Sequence, residues 1–358
     1  MIKVVLIPFP EKKENQYMDL MYEAIKSALN NDGVVEPYLT LKELISGKKQ
    51  DIVWLNWFES LNDKSLVSIL KDILSKTLSL FMLKLKRTTI LSTLHNKQPH
   101  DKKYIFLNRL FYKFLLKISD KIIILSRESK NYVEVFLGPK YLSKLEYIPH
   151  PAYIVSPKHH NSSNTSKFNV LYFGQLRPYK NIELILELAR EKRNITFTIA
   201  GKPIDNQYAL FLKNKSKDLS NINLILNHQS EEDLDYLISN SAIVILPYKK
   251  NSSLNSGVLF YAFSKGINVI IPAISSIYEF TNIDKIYHYN YDTENDHFIN
   301  LQKILNKAEQ DFNNDYLNFV NNTKILQRET IENNSLDKIS KKIKLLIFGK
   351  CLNMPMPS

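Results

Sequence analysis

Two basic residues and a glycine follow an apolar run near the middle of the chain. Residues 168–173 have the composition of a strand, and Gly174 comes directly after them. Arg177 and Lys180 come next, and Asn181 stands where it would cap the amphipathic helix pattern that follows. Because side-chain charge, backbone amides and the positive end of a helix would converge there, the arrangement suits a phosphate group. The sequence therefore indicates a phosphorylated ligand.

A second signal for phosphate binding lies further along the chain. Ser256 and Gly257 precede an apolar segment with the pattern of a helix, and small residues at a helix start let a diphosphate approach the unpaired amides. The pair Gly201 and Lys202 follows another apolar run. Each pair alone is typical of an ordinary turn, but their order behind successive predicted strands favours a diphosphate site.

Aromatic and polar residues cluster behind the predicted strands of the first half. Such clusters occupy residues 54–59, 95–101 and 149–153. They combine tryptophan and tyrosine rings with carboxylates and histidines. The C–H face of a sugar stacks on aromatic rings, whereas its hydroxyls need hydrogen-bond partners. These loops therefore suit the binding of a sugar.

The elements that must position these residues alternate along the chain, which predicts parallel sheets covered by helices on both faces. A polar stretch at 158–167 is typical of a linker. We therefore predict an α/β protein of two Rossmann-like domains, residues 1–160 and 165–332, with a C-terminal helix within 333–350 that packs back on the first. The predicted strands are 2–7, 52–55, 89–94, 121–125 and 145–148 in the first domain, and 169–173, 196–200, 222–226, 242–246 and 268–271 in the second.

Length and cysteine content narrow the class of protein. A chain of 358 residues favours two domains. Cys351 is the one cysteine, which excludes an internal disulfide and a cysteine-based metal site and fits a reducing compartment. The chain shows neither a secretory signature at its start nor an apolar stretch of membrane-spanning length. These features predict a cytoplasmic protein.

The net charge of +12 is concentrated in the first half, where residues 1–161 carry +9. Two basic, apolar helix patterns, 64–87 and 105–118, contain most of the clustered lysines. They could rest on anionic lipid, or they could be flanking helices whose apolar stripes pack on the sheet while their lysines are solvated. No nucleic-acid-binding motif accompanies them, so we expect no nucleic-acid partner.

The motifs together resemble those of GT-B glycosyltransferases, close to glycosyltransferase family 4 and to bacterial sugar transferases of exopolysaccharide and capsule assembly. The resemblance covers nearly the whole chain. It implies a GT-B fold, in which two Rossmann-like domains with parallel sheets face each other across a cleft. The motifs that carry it are 15–17, 51–59, 93–96 with 99–100 and 148–150 in the first half, and 173–181, 200–203, 245–248 and 256–257 in the second.

In that family the C-terminal domain holds a nucleotide-diphosphate sugar and the N-terminal domain presents the acceptor. By this resemblance Arg177 and Lys180 neutralise the diphosphate, and the amides of Ser256 and Gly257 cap it. Because these groups would balance the charge, we expect no metal and no other cofactor. The further residues implied for binding the donor nucleotide and sugar are Gly174, Gly201, Lys202, Pro203, Tyr248, Asn255 and Tyr261.

The resemblance also gives roles to residues of the N-terminal domain. An inverting transfer needs a general base within about 3 Å of the acceptor oxygen, and the candidates are His95, Glu59 and Asp101. In a retaining transfer His95 would contact the donor sugar instead. The residues implied for acceptor binding are Tyr17, Trp54, Trp57, His100 and His150.

Several positions depart from the family pattern at the donor site. Family members usually carry two glutamates around the last phosphate loop, and Ser253 and Tyr261 stand in those places here. The arginine normally next to the glycine is Gln175, with Arg177 two residues later. These departures leave open whether the anomeric configuration is retained or inverted.

The expected function is transfer of a hexose from GDP-mannose or a UDP-hexose to a lipid-linked oligosaccharide or polysaccharide acceptor in surface polysaccharide synthesis. The expected place of action is the inner face of the cell membrane, with an anionic lipid surface as a partner. Three alternatives remain open at this point. They are a nucleotide-sugar epimerase, a catalytically silent nucleotide-sugar-binding subunit, and a polyanion-binding protein that uses the basic N-terminal face.

Overall fold

A computed structural model describes residues 1–10, 15–37, 43, 49–97, 103–153, 167–250 and 254–349. The chain forms two units. The N-terminal unit comprises residues 1–151 together with the C-terminal segment that begins at Asn334, and the C-terminal unit comprises residues 152–333. The predicted linker at 158–167 and the predicted site residues His100 and Asp101 fall largely or wholly outside the described residues, as does Ser253.

Each unit contains a sheet of six parallel strands. The N-terminal sheet has the order β2-β1-β3-β4-β5-β6 and the C-terminal sheet the order β12-β11-β10-β7-β8-β9. The strands are β1 (Ile2–Ile7), β2 (Gly33–Glu36), β3 (Ile52–Leu55), β4 (Thr89–Leu94), β5 (Lys121–Ile124), β6 (Leu145–Tyr147), β7 (Val170–Phe173), β8 (Phe197–Ala200), β9 (Ile222–Ile225), β10 (Ile243–Ile245), β11 (Asn268–Pro272) and β12 (Tyr287–Tyr289).

Helices connect these strands. Short 3-10 turns also occur, and the one at Pro178–Lys180 matters below. The α-helices are α1 (Gln16–Leu29), α2 (Leu66–Leu85), α3 (Ile105–Ile118), α4 (Ser129–Leu137), α5 (Ile182–Glu191), α6 (Asn206–Ser216), α7 (Glu231–Ser239), α8 (Gly257–Ser264), α9 (Glu294–Asn314), α10 (Tyr316–Asn333) and α11 (Leu336–Phe348).

The N-terminal sheet is covered on both faces because successive strand residues point to opposite sides. In β1, Val4 and Leu6 pack with α1 and α11, whereas Val5 packs with α2 and α3. Helix α11 joins this core through Ile339 and Ile343, which lie one turn apart. The last helix of the chain therefore belongs to the N-terminal unit.

The predicted α/β fold is confirmed, and every predicted strand is present to within one residue at each end. The sequence analysis missed β2 and β12. Both lie at an edge of their sheet; the residues of β2 are all half-buried, and β12 has only three residues, so each gives a weak or short apolar signal.

The two interpretations of residues 64–87 are now distinguished in part. The apolar stripe of α2 does not pack on the sheet, since Leu70, Leu74 and Leu78 are 49%, 61% and 47% exposed. A different set of residues, including Ile69 and Leu80, is buried instead. None of the described helices has the length and hydropathy required to cross a bilayer.

Candidate functional site

Glycines bring two loops and a helix start together at the carboxyl end of the C-terminal sheet. Gly174, after β7, has a left-handed φ of 119°, and a Cβ at this position would lie 3.3 Å from Cγ2 of Val258 in α8. A Cβ on Gly201, after β8, would lie 1.8 Å from the carbonyl oxygen of Gly174. Only glycine permits this approach. The loops after β7 and β8 and the first turn of α8 therefore form one surface.

Backbone hydrogen bonds fix the loop after β8 against the loop after β7. The amide of Leu176 donates to the carbonyl oxygen of Lys202 at 3.0 Å, and the amide of Ile204 donates back to Leu176 at 3.0 Å. Leu176 and Pro203 are thereby paired. The predicted donor residues Lys202 and Pro203 are thus beside the segment that contains Arg177.

The two predicted cations lie at the end of this segment. Nε of Arg177 donates to Oε1 of Gln175 at 3.0 Å. Lys180 ends the 3-10 turn, and its Nζ lies 3.7 Å from the centre of the Tyr248 ring. Burial of the ammonium group lowers the pKa of Lys180 to about 7, and the positive charge of Arg177 lowers it as well. The lysine is therefore a cation that lacks full solvation.

The Tyr248 ring connects Lys180 to the start of α8. Oγ of Ser256 donates to the Tyr248 hydroxyl at 3.2 Å and accepts from the amide of Leu259 at 3.2 Å, which makes Ser256 the N-cap. Gly257 is the first helical residue, so its amide is among those without an intrahelical partner. All four residues predicted to hold a diphosphate therefore gather around the loops after β7 and β10.

Asn181 does not have the predicted role. It adopts a left-handed conformation, with φ 58° and ψ 42°, and its side chain makes no capping bond to α5. Its Nδ2 instead donates to Nδ1 of His297 at 3.3 Å. The prediction of a helix cap was wrong because the left-handed backbone directs the side chain toward α9.

The two remaining donor candidates differ in position. Asn255 is half-buried and immediately precedes the N-cap Ser256. Tyr261 is 4% exposed and packs edge-on against Phe173 and Tyr153. Burial raises the pKa of Tyr261, and so do nearby carboxylates of α7. The structure thus places Tyr261 in the core, which does not fit the predicted contact with a donor.

Four predicted residues of the N-terminal unit gather at the carboxyl end of its sheet. Trp57, after β3, has a left-handed φ of 50°, and its ring stacks on His95 with 4.0 Å between the centres. Tyr17, in the first turn of α1, contacts the rings of Trp57, His95 and His150 edge-on or tilted, at 5.1 to 5.7 Å. The structure therefore builds a wall of aromatic and imidazole rings at this edge.

Hydrogen bonds fix the tautomer of His95. The side-chain amide of Asn56 donates to the carbonyl oxygen of Ile7, so its Oδ1 accepts from Nε2 of His95 at 3.0 Å. Nδ1 of His95 therefore carries the lone pair. Burial lowers the pKa of His95 to about 3, with a smaller effect from His150. The ring is neutral near pH 7 and is a weak base.

His150 is buried in the same wall. Its Nδ1 donates to the carbonyl oxygen of Pro151 at 2.9 Å, and its own carbonyl accepts from Asn334 at 2.6 Å. Burial lowers the pKa of His150 to about 4, and the bond to Pro151 opposes this shift. Both histidines of the wall are therefore uncharged near pH 7.

The structure separates Trp54 from this wall and keeps Glu59 near it. Trp54 is fully buried in β3, and its Nε1 donates to Oγ1 of Thr93 at 2.8 Å. The prediction that Trp54 binds an acceptor does not fit, because a sealed ring cannot serve as a stacking surface. Glu59 is 5% exposed, and its charge contributes to the raised pKa of Tyr112 and of Tyr132. Those tyrosines donate to backbone carbonyls of the loop after His95.

Comparison with known proteins gives the class of this chain. A family model described as glycosyl transferases group 1 matches residues 156–280. A GDP-mannose:glycolipid 4-beta-D-mannosyltransferase of Xanthomonas campestris pv. campestris is 23% identical over 266 residues, which cover 74% of this chain and 71% of that protein. The chain is a GT-B glycosyltransferase. This is the class that the sequence resemblance implied.

Solved structures share the fold of this glycosyltransferase. Anabaena Alr3699/HepE in complex with UDP has a TM-score of 0.70 at 13% identity, covering 98% of this chain and 100% of that one. Sucrose-phosphate synthase from Thermosynechococcus elongatus has a TM-score of 0.72 at 12% identity, covering 99% and 100%. At this identity the likeness extends to the fold of the glycosyltransferase.

Some residues that build the two candidate sites could not be identified from the sequence. Asn56 lies in the motif 51–59, but its role in orienting His95 depends on a contact between the loops after β3 and β4, which the sequence does not show. His297 lies 116 positions after Asn181 and carried no sequence signal. A lone histidine in an amphipathic helix is typical of a core residue, so pattern alone could not single it out.

Proposed function

We propose that the protein transfers a hexose from a nucleoside-diphosphate sugar to a lipid-linked or polysaccharide acceptor in surface polysaccharide synthesis. One observation carries the proposal. Lys180, Arg177 and the start of α8 come together in the C-terminal unit, around the ring of Tyr248. A pyrophosphate supplies the negative charge that such a group of cations and unpaired amides would bind.

The state of Lys180 supports an anionic ligand in particular. Burial of an ammonium group is costly, which is why the pKa of Lys180 falls to about 7. A bound diphosphate would offset that cost and keep the lysine charged. As the leaving diphosphate gains charge during transfer, the same cation would stabilise it. The protein groups would balance this charge themselves, so we expect transfer to continue in EDTA.

The donor that we favour is GDP-mannose, with UDP-hexoses as the competing class. The Xanthomonas relative is named for GDP-mannose, whereas the Anabaena structures hold UDP and UDP-glucose. The relative resembles this chain over 266 residues at 23% identity, which is more than the 12% of the UDP-glucose complex. This difference favours the guanine nucleotide.

The N-terminal unit fits an uncharged sugar acceptor. Trp57 offers half-buried aromatic surface, and it stacks on a His95 ring that carries no charge near pH 7. With a pKa of about 3, His95 is too weak a base to remove a proton efficiently at pH 7. We therefore propose that His95 orients the acceptor and that Glu59 is the better candidate for the base.

The test is a pair of assays with purified protein. Calorimetry with GDP-mannose and with UDP-glucose measures donor binding, and release of GDP or UDP in the presence of a bacterial lipid extract measures transfer. We expect binding of one donor, extract-dependent release of its nucleotide, and loss of both in Lys180→Ala. The exposed Lys213→Ala in α6 is the matched control and should behave as wild type. Absence of binding by every nucleotide sugar tested would overturn the proposal.

We also propose that α2 and α3 attach the protein to an anionic membrane surface. One side of α2 has an exposed apolar stripe, formed by Leu70, Leu74 and Leu78. Helix α3 also exposes apolar side chains, those of Phe106 and Leu110. The two helices are in contact through the rings of Phe81 and Phe114. Across both helices the sequence has six Lys or Arg and one Asp. Exposed apolar side chains among positive charges fit the interface of an anionic bilayer.

Vesicle flotation tests this attachment. We expect binding to phosphatidylglycerol vesicles that weakens with salt, and little binding to phosphatidylcholine vesicles. The double variant Leu74→Ser/Leu78→Ser should bind about tenfold less, because two leucines no longer enter the interface. The matched control is Leu317→Ser/Leu345→Ser, which changes two exposed leucines elsewhere on the chain. Equal loss in both double variants, or equal binding to both lipids, would contradict the proposal.

A further inference from the structure

A buried histidine lies beneath the residues of the candidate donor site and has no role in the chemistry proposed above. His297, in the first turn of α9, has no exposed surface. Its ring contacts three polar or aromatic side chains, those of Asn181, Tyr289 and Tyr291. Two of these three connect His297 to the candidate site: Asn181 is adjacent to Lys180, and Tyr291 is hydrogen-bonded to the loop that carries Tyr248.

The first connection runs through Asn181, the residue next to Lys180. Asn181 ends the 3-10 turn in a left-handed conformation, which is unfavourable for most side chains and tolerated by asparagine. Its side-chain amide donates to Nδ1 of His297 at 3.3 Å. This bond ties Asn181, and with it the adjacent end of the 3-10 turn that carries Lys180, to α9.

The second connection runs through Tyr291. Its ring stacks on His297 with 3.8 Å between the centres and an angle of 6°. Its hydroxyl accepts from the amide of Lys250 at 2.6 Å and donates to the carbonyl oxygen of Tyr248 at 3.2 Å. His297 thereby supports the loop after β10 as well, and this loop presents the ring on which Lys180 lies.

The hydrogen bonds of His297 require one protonation state. The amide nitrogen of Asn181 can only donate, so Nδ1 accepts, and Nε2 donates to the hydroxyl of Tyr289 at 2.9 Å. Burial lowers the pKa of His297 to about 4, and the positive charge of Lys249 lowers it further. The ring is therefore neutral near pH 7, as this arrangement demands.

We propose that His297 is a positioning residue for donor binding, which fixes the loop after β7 relative to the loop after β10. Through Asn181 and Tyr291 it sets the distance between Lys180 and the Tyr248 ring beside the α8 start. The inference rests on the proposed function, because it assumes that Lys180 binds the donor diphosphate. It adds a residue of α9 that makes no contact with the ligand.

Two substitutions of His297 separate this role from simple packing. His297→Phe keeps an aromatic ring against Tyr291 but offers Asn181 no acceptor. His297→Asn loses the ring, but its Oδ1 can accept from Asn181 in the place of Nδ1. If the bond to Asn181 positions Lys180, the asparagine variant retains donor affinity better than the phenylalanine variant. If the ring only fills space, the order is reversed.

The control is a second buried polar side chain, at the opposite end of the same sheet. Asn221 is buried, and its side-chain amide donates to the carbonyls of Ala189, Lys192 and Ile195. Asn221→Ala leaves those acceptors unpaired at the start of β9, the end of the sheet away from the donor loops. It should lower the melting temperature as His297→Phe does, without changing donor affinity.

The experiment is calorimetry with GDP-mannose and UDP-glucose on the wild type and these three variants, with melting temperatures and initial rates. We expect His297→Phe to raise the donor Kd and the donor KM about tenfold at unchanged acceptor KM, and His297→Asn to stay within about threefold. Asn221→Ala should bind as wild type. Wild-type affinity in His297→Phe, or equal weakening in Asn221→Ala, would overturn the inference alone. A wild type that binds neither donor would overturn the proposed function, and this inference with it.

Discussion

The two candidate sites occupy the same place in two similar sheets and carry opposite chemistry. In the N-terminal unit, His95 and His150 are buried among aromatic rings, and burial keeps both uncharged by lowering their pKa to about 3 and about 4. In the C-terminal unit, the ammonium group of Lys180 lies over the ring of Tyr248, and burial lowers its pKa to about 7. Loops behind parallel strands can therefore be made neutral or cationic without changing the sheet.

Under the proposed function, this difference assigns donor binding and acceptor binding to different units. A diphosphate needs fixed positive charge, whereas a sugar hydroxyl needs aromatic surface and neutral hydrogen-bond partners. The ammonium group of Lys180 is only partly solvated, so a bound anion would stabilise its charged form. Burial keeps both histidines neutral near pH 7, so they add no positive charge to the N-terminal site. A substitution in one region should therefore leave the binding properties of the other unchanged.

The largest effect is expected for Lys180→Ala. Removal of the charge that faces the diphosphate should weaken nucleotide-sugar binding about 100-fold, within the range of a charged hydrogen bond. Affinity is measured by calorimetry, and flotation on anionic vesicles provides the control for the N-terminal unit, which should not respond. Unchanged donor affinity would show that the charge of Lys180 does not bind the diphosphate, which would contradict the proposed cationic site.

The next effect is a pH dependence of donor affinity. Free Lys180 has a pKa of about 7, so above that pH its ammonium is increasingly neutral and binding must take up a proton. The Kd for a nucleotide sugar should be constant below about pH 7 and rise by up to tenfold per pH unit above it. A nucleotide sugar is the right probe because its diphosphate has no terminal monoester that titrates near neutrality.

Proton uptake in two buffers of different ionisation enthalpy checks the same point. Lys180→Ala should abolish both the slope and the proton uptake. A slope that persists in this variant would assign the pH dependence to another group.

A smaller effect is expected for Trp57. Trp57→Asn removes the ring that stacks on His95, and asparagine tolerates the left-handed backbone at this position. The acceptor KM should rise about fivefold, as for the loss of one stacking contact, while the donor Kd is unchanged. Trp57→Phe, which keeps an aromatic ring, is the matched control. A change in donor Kd would erase the distinction between the regions.

The smallest effect concerns the cap of α8. Ser256 and Ser230 cap α8 and α7, so either change to alanine should cost about 1 kcal/mol of unfolding free energy. Only Ser256→Ala should also weaken donor binding, by roughly threefold, because only α8 starts at the candidate diphosphate site. Thermal melts and calorimetry on both variants measure this. Equal donor affinity in the two variants would remove the helix start from the proposed site.

The sequence predicted what local pattern determines. The ends of β7 and β10 could be located from apolar runs, and with them Gly174, which follows β7 directly, and Lys180 and Ser256, which lie in the loops after β7 and β10. The left-handed residues Asn181 and Trp57 could not be predicted, since their conformations depend on contacts with His297 and His95 formed across the fold.

The same limit explains the errors. Trp54 and Trp57 are three positions apart in one motif, yet one is sealed in β3 and the other faces His95. Strand alternation would have placed Trp54, but the loop conformation of Trp57 was needed to tell the two roles apart. Strand β2 was missed because its residues are all half-buried, and β12 because three residues are too few for a periodic signal.

The most direct test is a crystal structure of the protein with bound GDP-mannose or UDP-glucose. We predict a phosphate oxygen within about 3 Å of both Nζ of Lys180 and the amide of Gly257, with Nδ1 of His297 still bonded to Asn181. A nucleotide whose diphosphate lies away from Lys180, with the ammonium still over the Tyr248 ring, would contradict it.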